Sequence, residues 1–375
     1  MAELQPPRLI TRSDQVVELI DRLQVQPAIA VDTESDSLFA YREKVCLIQI
    51  SIPDEDDLID PLAEADVSPL RAIFAAPQIE KVFHACEYDV MCLRRDFDFA
   101  FTSLFDTMWA ARILGWPRVG LGDILQARFG VTLDKKWQRH NWGKRPLEPD
   151  ALAYARFDTH YLLQLREVQL AELRQLDRLA EAREVFADLA QAVYNGHTFT
   201  PDDVWSVKGV YDLGGRAQAI LRQLLMLRDR EARRQNRPAF KVMGDKTLVA
   251  IAELAPRHAD QLRTIAGMTA AQVQRYGAAI LQAVAQGQKD TPPVPPRRMM
   301  IDPAVLERYE HLRMWRKQAA ARRGVEPDVI VSNAVLMEVA KARPRSVEQL
   351  PELPWFGPWR RQTYGAAIVE ALRQV

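Results

Sequence analysis

Cysteine is scarce in this chain of 375 residues, which contains only Cys46, Cys86 and Cys92. Their odd number and irregular spacing fit neither a disulfide framework nor a metal-ligand motif. Reduced thiols are typical of a cytoplasmic protein, and we predict that location. No run of about 18 apolar residues occurs, so a membrane-spanning helix is not expected. The N-terminal stretch MAELQPPRLITRSDQ also lacks the apolar core of a secretion signal.

A net charge is missing as well, because 50 Lys and Arg residues balance 50 Asp and Glu residues. The two halves nevertheless differ. Residues 1–200 carry 22 basic and 32 acidic side chains, whereas residues 201–375 carry 28 basic and 18 acidic ones. This asymmetry suggests an active site rich in carboxylates and a separate surface for a polyanion. Unevenly distributed, solvated charge is the alternative explanation.

Short apolar runs alternate with helical patterns in residues 1–170. The segments AIAVDT (28–33), VCLIQIS (45–51) and DLIDP (57–61) predict strands, and the turn residues PDED predict an antiparallel hairpin between the last two. The other expected elements are helices at 69–77 and 86–95, strands at 79–85 and near 101–106, a loop at 130–149 and helices over 150–193. This order is typical of an α/β domain that starts with a meander.

Strand signals end after Asn195, where the chain begins to repeat itself. RYGAAILQAV (275–284) and TYGAAIVEAL (363–372) share YGAAI at an offset of 88 residues. We interpret this as a duplicated helical module. The copies are separated by the Pro-rich QKDTPPVPPRR (288–298), typical of a semi-rigid linker. The predicted domains are an α/β domain at 1–195, helical domains at 210–288 and 301–375, and a linker at 289–300.

Carboxylates that could meet in space occur in three separated segments. Asp32 and Glu34 are two residues apart at a strand end, so they share one face of the strand. Asp89 follows a strand and opens a helix. Tyr154 and Asp158 are four residues apart, which places a phenol and a carboxylate on one helix face. Clustered carboxylate oxygens suit Mg²⁺ or Mn²⁺, and a pair of such ions can assist phosphoryl displacement.

Asp36 extends the acidic row of Asp32 and Glu34 by one more alternate position. Because strand geometry is expected to end before it, we interpret Asp36 as a solvated acid or a loop acid without a role in the chemistry.

The series Asp32-Thr33-Glu34, Asp89 and Tyr154-x-x-x-Asp158 resembles the three exonuclease motifs of the DEDD superfamily, in its tyrosine-bearing branch. The flanking segments VCLIQIS, FHACEYD and KKWQRHNWGKRPL resemble bacterial ribonuclease D. The helical repeats resemble the two HRDC domains (helicase and ribonuclease D C-terminal domains) of that family.

The resemblance implies an α/β, ribonuclease-H-like exonuclease domain, with a mixed sheet flanked by helices, followed by two all-α HRDC-type domains. It implies a 3′→5′ exoribonuclease that uses two divalent ions, Mg²⁺ or Mn²⁺, to release 5′-mononucleotides from tRNA precursors and other structured RNAs. It also implies that Tyr154 positions the nucleophile. The implied metal ligands are Asp32, Glu34, Asp89 and Asp158.

The segment KKWQRHNWGKRPL interleaves basic residues with two tryptophans just before the third motif. Basic side chains hold phosphates and indoles stack on bases, so we predict that this loop contacts RNA, with a neutral surface loop as the alternative. Core or capping roles are the alternatives for two further candidates, Gln49 and His84. The predicted substrate residues are Gln49, His84, Lys135, Lys136, Trp137, Arg139, Trp142 and Arg145.

Two other functions fit the motifs. A DNA-directed 3′→5′ exonuclease would use the same carboxylates, because these motifs do not distinguish an RNA substrate from a DNA substrate. A non-catalytic RNA-binding scaffold would carry a decayed site. All five motif residues are present, which argues against decay, and the ribonuclease-D-like flanks favour RNA.

Overall fold

The structure is a computed structural model that describes residues 5–133, 135–194, 196, 198–297 and 300–374. The described chain divides into two units: residues 5–35, 45–194 and 300–374 form the first, and residues 36–44 with the described part of 195–297 form the second. None of the helices within these ranges combines the length and apolarity that a bilayer crossing requires.

A six-stranded sheet lies at the centre of the first unit, in the order β1-β4-β3-β2-β5-β6. The strands are β1 (Arg8–Arg12), β2 (Ala28–Ser35), β3 (Val45–Ile52), β4 (Glu55–Glu64), β5 (Glu80–Phe83) and β6 (Leu104–Asp106). Strands β2, β3 and β4 pair antiparallel, while β1, β5 and β6 join by parallel pairing. The mixed sheet and its hairpin are therefore confirmed. Strand β1 was not predicted, because its sequence RLITR has little apolar character. It forms a strand by pairing with β4 at the edge of the sheet.

Nine helices accompany the sheet within residues 5–194 as described. They are α1 (Ser13–Leu23), α2 (Leu70–Ala75), α3 (Glu87–Phe97), α4 (Thr107–Ile113), α5 (Leu121–Phe129), α6 (Pro149–Ala155), α7 (Phe157–His160), α8 (Leu162–Gln175) and α9 (Leu179–Leu189). The predicted loop at 130–149 contains a short 3₁₀ helix, Lys135–Arg139.

Strand β3 is buried along its whole length, which explains its continuous apolar sequence VCLIQISI. Ile48 and Ile50 belong to the main core. On the other face, Leu47 packs with Trp142 and with Ala155 of α6. This second face also carries the side chain of Gln49, which lies opposite Asp32 in the register of β2 and β3.

The helical repeat appears in the structure with the offset seen in the sequence. The first copy comprises α10 (Gly215–Gln235), α11 (Ala239–Val242), α12 (Asp245–Leu254), α13 (Ala259–Arg263) and α14 (Ala270–Lys289). The second comprises α15 (Pro303–Arg323), α16 (Pro327–Ile330), α17 (Asn333–Ala342) and α18 (Pro358–Arg373). Helices α15 and α10 begin at residues 303 and 215, which are 88 residues apart. The duplicated module is thus confirmed.

The second copy packs against α9 of the first unit through charged groups. Arg323 donates to the fully buried carboxylate of Glu181 at 2.8 Å. Arg360 donates to Glu184 at 3.0 Å, with side chains only 3% and 10% exposed. Removing one partner of a buried ion pair leaves an uncompensated charge, so these contacts specify how α15 and α18 dock on α9.

Candidate active site

Three carboxylates from separate elements converge at one end of β2. Asp32 and Glu34 lie on β2, and Asp158 is brought to them by α7. One ligand oxygen from each lies within 4.8 Å of the others. All three side chains remain partly accessible to solvent. The geometry therefore brings together acids that are separated by more than a hundred residues in the chain.

Asp89 joins this group from the first turn of α3. Its side chain is buried, and Thr33 Oγ1 donates a hydrogen bond to its Oδ1. Tyr154 lies in α6, one helical turn before Asp158, and packs against the cluster that contains Leu47 and Trp142. The five residues of the predicted catalytic set therefore occupy one region of the first unit.

Burial and mutual repulsion make these carboxylates reluctant to ionise. Burial, with the charges of the other three acids added, raises the pKa of Asp32 well above its usual range. The pKa of Glu34 is raised for the same reasons. Burial raises the pKa of Asp89 to about 7, although the Thr33 hydrogen bond opposes this. Burial and the nearby Asp89 also raise the pKa of Asp158 to about 7.

Such a cluster fits divalent cations. Carboxylate oxygens are the ligands that Mg²⁺ and Mn²⁺ prefer, and positive charge would offset the repulsion that raises these pKa values. Gln49 adds a second indication, because its amide is fully buried opposite Asp32 and neither polar atom has a partner among the described residues. An unpaired buried amide is costly, so a ligand or its hydration shell is a suitable partner for it.

Asp36 lies in the loop after β2, as one of the two interpretations predicted, but it is not solvated. It is 3% exposed, accepts a hydrogen bond from the Lys44 backbone at 2.9 Å and pairs with Lys44 Nζ at 2.6 Å. The interpretation of a solvated acid was wrong. Because β2 ends at Ser35, Asp36 leaves the acidic row and closes the loop back to Lys44.

The tryptophans of the predicted RNA-binding loop are buried. Trp137 is 7% exposed and Trp142 is 1% exposed, and both pack against β3 and α6. His140 lies between them, with its ring centroid 5.0 Å from each indole. An enclosed indole offers no face to a base, so the predicted stacking role is wrong for both residues. Instead they support α6, which carries Tyr154.

The other predicted substrate residues divide into internal and exposed groups. Arg145 donates to Asp60 at 2.6 Å and to the Cys46 carbonyl at 2.8 Å, so its charge is used within the protein. His84 lies 2.9 Å from Thr107 Oγ1, and burial lowers the pKa of His84 to about 4, which keeps it neutral. Lys136 and Arg139 are exposed, and Lys136 Nζ lies 4.7 Å from the centre of the Trp137 ring. The side chain of Lys135 lies outside the described residues.

One residue beside the acids, Tyr88, was not predicted from the sequence. Tyr88 immediately precedes Asp89, and its side chain is 39% exposed. Its hydroxyl lies 3.2 Å from Ser35 Oγ, next to Glu34. The tyrosine in FHACEYD was visible, but nothing in its spacing showed that it borders the carboxylates.

Comparisons with known proteins agree with this geometry. A family model described as a 3′-5′ exonuclease matches residues 7–173, and an HRDC domain model matches residues 217–284 and 305–372. The ribonuclease D of Gluconacetobacter diazotrophicus is 30% identical over 370 residues, which cover 96% of this chain and 91% of that protein. The ribonuclease D of Jannaschia sp. is 30% identical over 379 residues, covering 98% and 95%.

Solved structures give the same result. The crystal structure of Escherichia coli RNase D, an exoribonuclease involved in structured RNA processing, aligns with a TM-score of 0.69 at 25% identity and covers 99% of both chains. The catalytic core of RRP6 from Trypanosoma brucei aligns with a TM-score of 0.66 at 25% identity over 76% of this chain and 83% of that chain. Because two ribonuclease D proteins are 30% identical to nearly the whole of this chain, and the exonuclease and HRDC models match in the same order, the chain belongs to the ribonuclease D family of 3′→5′ exoribonucleases.

Proposed function

We propose that this protein trims the single-stranded 3′ ends of tRNA precursors and other structured RNAs in the cytoplasm, releasing 5′-mononucleotides. Two divalent ions, Mg²⁺ or Mn²⁺, are held by Asp32, Glu34, Asp89 and Asp158. The observation that carries this proposal is the convergence of Asp32, Glu34 and Asp158, with ligand oxygens within 4.8 Å of one another. When bound, such ions activate water and neutralise charge on the scissile phosphate and the leaving oxygen.

The protein's own side chains position the metal ligands and the attacking water. In our proposal Asp32 would hold both ions, Glu34 and Asp158 would complete the site where water is activated, and Asp89 would serve the second ion. Thr33 restrains Asp89 through its hydroxyl hydrogen bond. Tyr154, one turn from Asp158, orients the attacking water through its phenol, whose ordinary pKa near 10 makes it a poor base at neutral pH. The unpaired amide nitrogen of Gln49 donates a hydrogen bond to the substrate or to bound water.

Exposed basic side chains bind the phosphates in the remainder of the RNA. Lys136 and Arg139 lie in the loop before α6 and are accessible to phosphates. The basic C-terminal half offers a further surface for a polyanion, and binding by such contacts weakens as salt rises.

The function is tested with a 5′-end-labelled tRNA precursor that carries a single-stranded 3′ extension, and with DNA of the same sequence. We expect a ladder of RNA products that shorten by single nucleotides, complete loss of turnover in EDTA, and much slower degradation of DNA. Internal cleavage products, or turnover that survives EDTA, would refute the proposed reaction. Equal rates on RNA and DNA would favour the DNA-directed alternative.

Tyr88 is expected to stack on a base near the scissile bond, because its exposed ring is held beside Glu34 and Asp89. Aromatic stacking contributes about 1–3 kcal/mol per base, so Tyr88→Ala should raise KM for single-stranded RNA roughly 5- to 150-fold. Tyr88→Phe, which keeps the ring and loses the hydroxyl, is the matched control and should stay near wild type. An unchanged KM in the alanine variant, measured from initial rates, would contradict this role.

A further inference from the structure

The joint between α6 and α7 is the part of the site that most needs support. Helix α6 ends at Ala155 and α7 begins at Phe157, so Arg156 separates the helix that carries Tyr154 from the one that carries Asp158. Helix α7 has only four residues. A helix this short is not stable by itself, so contacts with the rest of the fold must set its orientation.

A buried carboxylate on the neighbouring strand supplies those contacts. Asp56 of β4 has a side chain only 2% exposed. Its Oδ2 accepts hydrogen bonds from Arg156 Nη2 at 2.6 Å and from Arg156 Nε at 3.0 Å. His160 Nδ1 lies 2.9 Å from the same oxygen. An ionised carboxylate only accepts hydrogen bonds, so Nδ1 carries the proton. Asp56 therefore binds the residues on either side of Asp158.

A third connection reaches the middle of α7. Ser51 Oγ donates to Asp56 Oδ1 at 2.7 Å and lies 2.7 Å from Thr159 Oγ1. Both Ser51 and Thr159 are buried. Charged hydrogen bonds of this kind, enclosed in protein, are directional and strong. They hold three of the residues around Asp158 to the β3–β4 hairpin.

We propose that Asp56 is a positioning residue for catalysis: by fixing Arg156, Thr159 and His160 it sets where Tyr154 and Asp158 lie relative to Asp32. This inference rests on the proposed function. Reacting groups must be placed accurately, and a displacement of about 1 Å can cost roughly 10²-fold in rate. His160 acts here as a support for α7.

The chain offers a matched control at the next residue. Asp57 is also buried, and its carboxylate also pairs with arginines, Arg8 at 3.0 Å and Arg22 at 3.0 Å. Neighbouring side chains of a strand point to opposite faces, so Asp57 contacts these groups of β1 and α1 instead of α7. Asp56→Asn and Asp57→Asn both remove one buried, paired charge, but only the first acts on the catalytic helix.

The experiment compares the two variants by kcat and KM on single-stranded RNA, by thermal unfolding, and by Mn²⁺ affinity from electron paramagnetic resonance. Asp56→Asn should lower kcat roughly 10- to 100-fold and weaken Mn²⁺ binding, with KM within about twofold. Asp57→Asn should lose comparable stability while keeping kcat and Mn²⁺ affinity near wild type. Equal effects of the two variants on kcat and on Mn²⁺ affinity would overturn the positioning role.

Thr159→Val provides a milder test if Asp56→Asn folds poorly. It preserves volume and leaves the Asp56–Arg156 pair intact, while it removes the hydroxyl link to Ser51. We expect a several-fold lower kcat and weaker Mn²⁺ binding, and wild-type values for both would refute the inference. Because Mn²⁺ affinity is measured without RNA, it separates the two hypotheses. A wild-type protein that binds Mn²⁺ but does not degrade RNA would refute the proposed function alone.

Discussion

Asp158→Asn is expected to lose at least roughly 10³-fold in the rate of mononucleotide release, and Asp32→Asn the same. Each substitution preserves shape but removes a charged oxygen from the cluster in which Asp32, Glu34 and Asp158 meet within 4.8 Å. The measurement is kcat on 5′-labelled RNA at saturating Mn²⁺. RNA affinity, followed by fluorescence anisotropy, should be retained, since removing negative charge does not weaken attraction for phosphates. Tyr154→Phe should slow turnover less, because it removes only an orienting hydroxyl.

Asp36→Asn is the matched control from the same acidic row. Asp36 pairs with Lys44 and is not one of the three grouped acids, so its substitution should affect stability more than turnover. Near-wild-type kcat in Asp32→Asn or Asp158→Asn would refute the assignment of ligands. A loss of kcat in Asp36→Asn as large as in Asp32→Asn would show that all three acids of the row take part in catalysis.

Divalent ions are expected to stabilise the protein at pH 8 far more than at pH 5. Burial and repulsion raise the pKa of Asp89 and of Asp158 to about 7, whereas an unfolded chain ionises these groups near pH 4. In the folded protein without metal, their contribution to stability is therefore fully present below about pH 4 and is lost as the pH rises through about 7. Above pH 7 the ionised cluster repels itself, and a bound cation relieves this repulsion.

The measurement is Tm with and without Mn²⁺ across this pH range. At a concentration about 100 times Kd, Mn²⁺ should add about 2.7 kcal/mol at pH 8, or roughly 5 °C in Tm. At pH 5 protons compete for the same oxygens, so the increase should shrink. Asp158→Asn should lose most of the Mn²⁺ effect. An equal increase in Tm at pH 5 and pH 8, or none at either, would contradict a site built from these carboxylates.

The parts of the fold that were predictable from sequence depend on local periodicity. The apolar run around Ile48 is confirmed as a central strand. Asp32 and Glu34 share a face because strand side chains alternate. Tyr154 and Asp158 are close in the chain, but α6 and α7 carry them separately, so the single helix expected for this pair is divided at Arg156. The helical repeat was visible because both copies keep the same spacing. These features are set by residues close together in the chain, or by repetition itself.

The errors arose where distant contacts decide the outcome. Asp36, in the loop after β2, is buried in an ion pair with Lys44 that the alternating acidic pattern did not reveal. Alternating tryptophans and basic residues are typical of an RNA-binding loop, yet Trp137 and Trp142 are covered because the loop folds back on β3. Sequence pattern does not show which neighbour arrives to cover an aromatic ring.

The ion pair between Arg323 and Glu181 also bears on how the duplicated modules diverged. In the second copy Arg323 donates to Tyr364 Oη at 2.7 Å as well as to Glu181. At the offset of 88, the equivalent pair in the first copy is Gln235 and Tyr276, 3.0 Å apart and without a charge. Both copies contain the tyrosine contact, but only the second has a cation there. Exchanging the modules would remove Arg323 from Glu181 and leave the buried acid only the longer 3.9 Å contact with Arg178, so the duplicates are not interchangeable.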